Sequence, residues 1–237
     1  MSADLRFSTL AYRPEIDGLR CIAVVAVMLF HAQVPYFAGG YLGVDIFFVI
    51  SGYLIARLIW SEIQTGQFTL LEFYERRARR LLPALFLVCG LSTIAAYHVL
   101  APPALEEFGW HLAAANLFFA NFVYWFHVDY FATRAEYLPL IHTWSLSVEE
   151  QFYLVFPFLL LAAVRLKLVQ LVALLGALLV LSLTAAHVIS QSTETEAAAF
   201  FMLPTRAWQL LAGSLLALYE IRLQRHDAGD NCFYGSL

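Results

Sequence analysis

The sequence predicts an all-α protein, a polytopic transmembrane helix bundle of about six full spans with a further re-entrant or peripheral helix at 108–128. Three observations carry this reading. The chain is 61% hydrophobic and 14% charged, where soluble domains average about 25% charged. Its mean hydropathy is +0.70. The charges fall in short islands separated by apolar runs near the roughly 20 residues that a spanning helix needs. A net charge of -4 leaves no broad basic surface, which excludes nucleic acid as a partner. Cys21, Cys89 and Cys232 lie far apart and form neither a disulfide framework nor a metal site, so no metal is expected.

The expected spans are 20–37, 44–61, 81–100, 145–164, 168–188 and 203–219. No short signal-peptide core precedes the first, so insertion begins with an uncleaved helix. The 108–128 stretch is uncharged, but His111, Asn116, Asn121 and His127 make it polar for lipid contact. With the N-terminus in the cytoplasm and 108–128 not crossing, Arg76 to Arg80, Arg165 and Lys167, and Arg222 and Arg225 all fall inside. The acidic loop with Glu194 and Glu196 falls outside. Letting 108–128 cross puts the later basic islands on the wrong side. The organisation expected is one membrane domain over 1–222, followed by a polar tail, 223–237, that is disordered or aberrant.

The first span holds the first chemical group. From Cys21 to Val44 no Asp, Glu, Lys or Arg occurs, and His31 sits inside that run, eleven positions after Arg20. Eleven helical steps put the two side chains on nearly one face, about 16 Å apart along the axis. Hydrocarbon cannot solvate an imidazolium, so His31 near mid-bilayer is a functional-site candidate. The second span opens at Gly43-Val44-Asp45. Asp45 is either a helix-start charge favoured by the macrodipole or the group that orients His31 and fixes its tautomer.

Ahead of the third span stand Arg76, Arg77, Arg79 and Arg80. Such a block can anchor the chain to anionic lipid, or its planar forks can hold the phosphates of a cytosolic ligand. The fourth span begins in His142-Thr143-Trp144-Ser145-Leu146-Ser147-Val148-Glu149-Glu150. Ser147 and Glu150 have capping-box spacing, whereas Glu149 with His142 and Trp144 gathers a carboxylate, an imidazole and an aromatic platform. That set suits a polar, hydroxylated acceptor, or equally an interfacial aromatic belt. The last span opens at Pro204-Thr205-Arg206-Ala207-Trp208, and an outward Arg206 calls for a partner such as Glu149 or Asp45. The remaining histidines, His187 among them, show no spacing of interest.

Taken in order, Tyr12-Arg13-Pro14-Glu15-Ile16-Asp17-Gly18-Leu19-Arg20 with His31, Gly43-Val44-Asp45 through Ser51-Gly52, the Tyr74 to Pro83 block, His142 to Tyr153 and Thr205 to Trp208 resemble the acyltransferase-3 family of bacterial membrane O-acyltransferases. The resemblance implies transfer of an acyl group, usually acetyl, from cytosolic acetyl-CoA or another acyl-CoA to a hydroxyl of a cell-surface or lipid-linked glycan. It implies the bacterial inner membrane as location, with membrane lipid and the glycan as partners. Residues implied for catalysis are His31, Arg20, Asp45 and Glu149, with Arg76, Arg77, Arg79 and Arg80 toward the donor and His142, Trp144, Glu150 and Arg206 toward the acceptor. His31 would serve as general base or accept the acyl group itself. Two departures stand out: Gln209 replaces a frequent Glu, and the family's membrane domain normally continues through further helices. A C-terminally truncated, inactive fragment is therefore one alternative expectation, and a transporter or lipid-handling protein without chemistry is another.

Overall fold

A computed structural model describes residues 13–127, 138–192 and 195–234, and these are helical with no strand. Tyr12, Glu194 and the end of the tail lie outside the described residues. The helices are α1 (Pro14–His31), α2 (Leu42–Gln64), α3 (Leu70–Val99), α4 (Pro102–Asn116), α5 (Ala120–His127), α6 (Thr143–Ala162), α7 (Leu168–Ile189), α8 (Glu196–Phe201) and α9 (Leu203–Tyr234). The chain divides into two compact units. One comprises Met1–Phe68, Leu168–Gly176 and Gln209–Leu237, the other Thr69–Lys167 and Ala177–Trp208.

Four of the six expected spans are long and apolar enough to cross a membrane: Ala38–Gln64, Leu70–Val99, Thr143–Ala162 and Leu168–Ile189. The count among the described residues is thus four, not six. The segment expected at 20–37 falls short because its helix starts at Pro14, takes in Glu15, Asp17 and Arg20, and ends at His31. Past His31, Gln33 adopts a left-handed conformation (φ 52°) and Pro35 follows, so the helix cannot continue. The segment at 203–219 belongs to a longer helix whose first eighteen residues include Arg206, Gln209 and Glu220. Neither reads as lipid-facing hydrocarbon along its full length.

The 108–128 stretch does not form one crossing helix. Phe118, at φ 56°, breaks it between α4 and α5, and helices of 15 and 8 residues are both shorter than the roughly 20 a span requires. The break is held from inside the second unit: the Gln151 amide donates to Phe118 O at 2.9 Å and to Asn121 Oδ1 at 2.8 Å. Asn121, fully buried, donates in turn to Phe201 O. Its polar side chains therefore serve protein contacts, which is why the stretch looked too polar for lipid.

In the first unit, α1 and α2 run antiparallel in close contact. A Cβ on Gly43 would stand 2.4 Å from Ala23 O, and one on Gly40 would stand 2.2 Å from Ala26 O. Further along, the Arg20 guanidinium lies 5.6 Å from the Phe47 ring, and Arg13 donates to Tyr53 Oη at 2.6 Å. Against α2, by contrast, α9 runs parallel. A Cβ on Gly52 would meet Leu210 O at 1.9 Å, and one on Gly213 would meet Val49 O at 1.9 Å. Only glycine lets the two backbones approach so far, as at small-residue crossings of membrane helices. Ser214 adds a hydroxyl bond to Gly52 O at 3.1 Å.

Candidate active site

The parallel α2–α9 crossing decides which polar groups meet in the first unit. With Gly52 and Gly213 in register, Asp45 and Gln209 come level on one side of the crossing, and Gln209 Nε2 donates to Asp45 Oδ1 at 2.8 Å. Gln209 is 1% exposed. A Glu at 209 would set a second carboxylate against Asp45, whereas the amide supplies a donor and keeps the pair singly charged. On the other side of the crossing, Arg13 Nη1 reaches Glu220 Oε1 at 2.8 Å. Tyr53 donates to the other oxygen of Glu220, and Arg57 approaches Tyr53 Oη at 3.0 Å. This four-residue cluster went unnoticed in the sequence. Its one local signal is the Tyr53 and Arg57 spacing of four on a single helix face.

His31 is the last residue of α1, exposed on the protein surface rather than set in the middle of a helix. Its Nδ1 lies 2.9 Å from Val27 O. A carbonyl oxygen can only accept, so the proton sits on Nδ1 and Nε2 presents its lone pair outward. The tautomer is therefore set by the helix backbone one turn below, not by Asp45 as the sequence suggested. Arg20 shares the helix, half-buried between Asp17, 4.0 Å away, and the Phe47 ring. Both keep the common face expected of them, because α1 is unbroken from Pro14 to His31.

In the second unit the arginine block belongs to α3 itself. The helix is N-capped by Thr69, whose hydroxyl accepts from Glu72 N at 3.4 Å, and runs on through Pro83. Its four arginines have different environments. Arg77 points inward, pairs with Glu150 Oε1 at 2.5 Å and lies 3.8 Å over the Tyr153 ring. Arg79 is exposed and bonded to Glu75 of its own helix at 2.6 Å, Arg80 is exposed, and Arg76 is half-buried. Arg77, expected toward the donor, and Glu150, expected toward the acceptor, are thus one ion pair.

The expected capping box at Ser147 and Glu150 is absent for the same reason. The α6 helix already begins at Thr143, so Ser147 is interior, bonded to Thr143 O and accepting from Ala120 N, while Glu150 faces Arg77. The capping residues belong to α3 instead. Glu149 accepts from Tyr153 at 2.5 Å, and His142 is exposed at the N-cap of α6. Trp144 is buried against Phe200 and Phe201.

Arg206 donates through Nε to Phe200 O at 2.9 Å, and its guanidinium lies 4.5 Å from the Phe200 ring and 5.6 Å from the Trp144 ring. It lines a cavity of about 370 Å³ with His187, Ser190, Glu196, Phe200 and Trp208. Of these, sequence reading had marked only Arg206 and the run it begins in. His187 and Glu196 come from the end of α7 and the start of α8 and share no spacing with Arg206. Among the described residues no group of His, Cys, Asp and Glu is arranged to hold a metal ion.

Comparison with known proteins gives one consistent result. The acyltransferase-3 family, described as an acyltransferase domain, matches residues 13–229. An O-acetyltransferase OatA of Staphylococcus aureus is 39% identical over 212 residues, covering 87% of this chain and 34% of that protein. A peptidoglycan O-acetyltransferase OatA of Listeria monocytogenes is 36% identical over 214 residues, again 87% of this chain and 34% of the relative. The chain spans about a third of the length of these curated relatives. No solved structure matches it.

Proposed function

The chain belongs to the acyltransferase-3 family, and on that premise we propose that it is a membrane O-acyltransferase carrying acetyl from acyl-CoA to a hydroxyl of a cell-wall glycan. The observation that carries the chemistry is the His31 hydrogen bond: with Nδ1 committed to Val27 O, Nε2 is the basic nitrogen. In the direct route Nε2 takes the proton of the acceptor hydroxyl as that oxygen attacks the thioester carbonyl. The new C–O bond forms, the C–S bond breaks, and CoA leaves as thiolate, which takes up a proton. In the two-step route Nε2 attacks the carbonyl, CoA leaves, and the acceptor hydroxyl then displaces the acylated imidazole. Arg20, about 16 Å from His31 along the same helix face, is too far to touch the reacting carbonyl, so its charge serves at a distance, toward the anionic donor.

The donor phosphates fall to Arg76, Arg79 and Arg80. Arg79 holds only an exposed intrahelical partner, and exposed pairs are weak enough to exchange for a phosphate. Arg77, paired with Glu150 and lying over the Tyr153 ring, is read as scaffold. Acetyl as the group and peptidoglycan as the acceptor follow the names of the relatives. A bacterial inner-membrane location is part of the same proposal, supported by the four apolar helices; placing both the N-terminus and the Arg76 to Arg80 block in the cytoplasm requires the α1 segment to cross as well.

The test is transfer of label from acetyl-CoA by membranes expressing the chain, with the glycan read by mass spectrometry. His31→Ala lowers transfer about 10²- to 10⁴-fold at unchanged protein level. Label reaching glycan at the wild-type rate in His31→Ala overturns the role of His31. Acid-quenched reactions without acceptor separate the routes, since label retained on wild-type protein and absent from His31→Ala marks the two-step one.

A further inference from the structure

The segment that joins α1 to α2, from Ala32 to Tyr41, carries no charged residue, yet its backbone adopts two unfavourable arrangements, each beside an aromatic side chain. Val34 O accepts from Phe37 N at 3.2 Å, closing a turn with Pro35 and Tyr36 at its corners. Tyr36 has φ 75°, which makes the turn type II, and the second corner of that turn normally falls to Gly or Asn because a Cβ is crowded there. No contact within the fold offsets the strain. Tyr36 is fully exposed and makes no hydrogen bond or ring contact among the described residues. Close backbone approach places the second ring. Gly40, where a Cβ would stand 2.2 Å from Ala26 O, lets the 3₁₀ turn Ala38–Tyr41 lie against the last turns of α1. The Tyr41 ring then meets Phe30 edge-on at 5.7 Å, and Phe30 in turn meets the His31 ring at 5.2 Å. Tyr41 is 48% exposed, and its hydroxyl has no hydrogen bond among the described residues.

We propose that Tyr41 and Tyr36 form a platform on which a sugar ring of the acceptor stacks, setting its hydroxyl beside His31; the inference rests on the role assigned to His31 above. His31 Nε2 faces outward, and Tyr41 stands one ring away across Phe30. An exposed phenol suits such a ligand, with an aromatic face for the C–H side of the ring and a hydroxyl that donates or accepts. The same segment argues against the donor nucleotide. From Cys21 to Val44 no Lys or Arg occurs, so a polyphosphate finds no cation here. Lipid is the competing occupant, since tyrosines gather at membrane interfaces. Anchoring in lipid, however, needs no tyrosine on a left-handed backbone, and lipid laid over this segment would cover the Nε2 that the acceptor hydroxyl has to reach.

The experiment uses the full chain in nanodiscs of zwitterionic lipid, titrated with N,N′-diacetylchitobiose, a neutral disaccharide, with binding read by saturation-transfer NMR. The wild type transfers saturation to the ring protons of the sugar. Tyr41→Phe keeps the aromatic face and binds within about threefold of wild type, whereas Tyr41→Leu weakens binding about tenfold. Tyr36→Gly relieves the left-handed corner, so the melting temperature is not lowered while binding weakens severalfold. A tyrosine that only held the fold together would not show that combination. Absence of saturation transfer from the wild type overturns the proposal. Binding unchanged in either Tyr41→Leu or Tyr36→Gly also overturns it, and leaves that tyrosine as a lipid anchor. Acetyl transfer assayed on the same preparations separates this from the functional reading. Transfer to glycan with sugar binding unchanged in the variants removes the platform and leaves the enzyme, whereas tyrosine-dependent binding with no transfer by the wild type supports the platform and counts against the enzyme.

Discussion

Arg77 and His31 show two opposite ways of placing a charge-bearing side chain in a membrane protein. In the α3–α6 region, Arg77 and Glu150 pair at 2.5 Å, backed by the Tyr153 ring, with side-chain exposures of 23% and 15%. In the α1–α2 region, His31 spends one nitrogen on its own helix backbone and leaves the other outward. A pair that closes on itself can stabilise the protein or cost it, but it has little left to offer a substrate. A group whose remaining valence is open can do chemistry. Counting intramembrane charges therefore finds both kinds, and only their partners separate them.

The contrast is sharpest when Arg77 is removed. Arg77→Ala leaves Glu150 largely buried without its cation and is expected to cost about 3–5 kcal/mol of stability, read as loss of folded protein in denaturant titrations in detergent. Arg77→Met with Glu150→Leu should recover most of that loss, and failure to recover it would show that Arg77 has a ligand besides Glu150. Next in size is the helix crossing. Gly52→Ala puts a methyl 1.9 Å from a backbone oxygen of α9 and should cost about 1–3 kcal/mol. By separating α2 from α9 it should also lower transfer, since Asp45 and Gln209 meet across that contact.

The outward arginines should behave differently from Arg77. Arg80→Ala, at an exposed position, is expected to change stability by less than about 0.5 kcal/mol while raising the KM for acetyl-CoA severalfold. An unchanged KM in Arg79→Ala with Arg80→Ala would reduce the block to a topology signal. The smallest effect lies at the start of α1. There the Arg13 Nε–H bond holds the Glu15 carboxyl below the usual carboxylate range. A depressed value in the folded state means that the stabilisation is present above the unfolded pKa and is lost as pH falls through the folded one. The acid limb of a thermal-denaturation profile should therefore flatten slightly in Glu15→Gln, and an identical limb would show that the bond contributes nothing.

Much of this was legible in order along the chain. Apolar runs near 20 residues placed four helices, and the polar content of 108–128 correctly spoke against a crossing helix. The Arg20 and His31 facing followed from helical periodicity alone. The end of α1 was harder to see, since His31, Ala32, Gln33 and Val34 carry no charge and look continuous with the span. The stop comes from a left-handed Gln33 ahead of Pro35. Asp45 had a partner in Gln209, 164 positions away, and Arg77 had one in Glu150, 73 positions away. No periodicity connects residues at such separations. Gln209 read as a missing charge, yet in place it is the donor to Asp45.

By itself the sequence determined the all-helical membrane class, the apolar helices, the family and the inventory of residues able to do chemistry, because hydropathy, helical period and motif order are properties of neighbours along the chain. Tertiary structure decided which of those residues are spent on one another. Glycine contacts at Gly52 and Gly213 set the α2–α9 register and so the Asp45 partner, an ion pair joined Arg77 to Glu150, and the end of α7 and the starts of α8 and α9 gathered His187, Glu196 and Arg206 around one cavity. These are encounters between distant segments, fixed by how closely backbones pack and by the cost of leaving a buried charge unpaired.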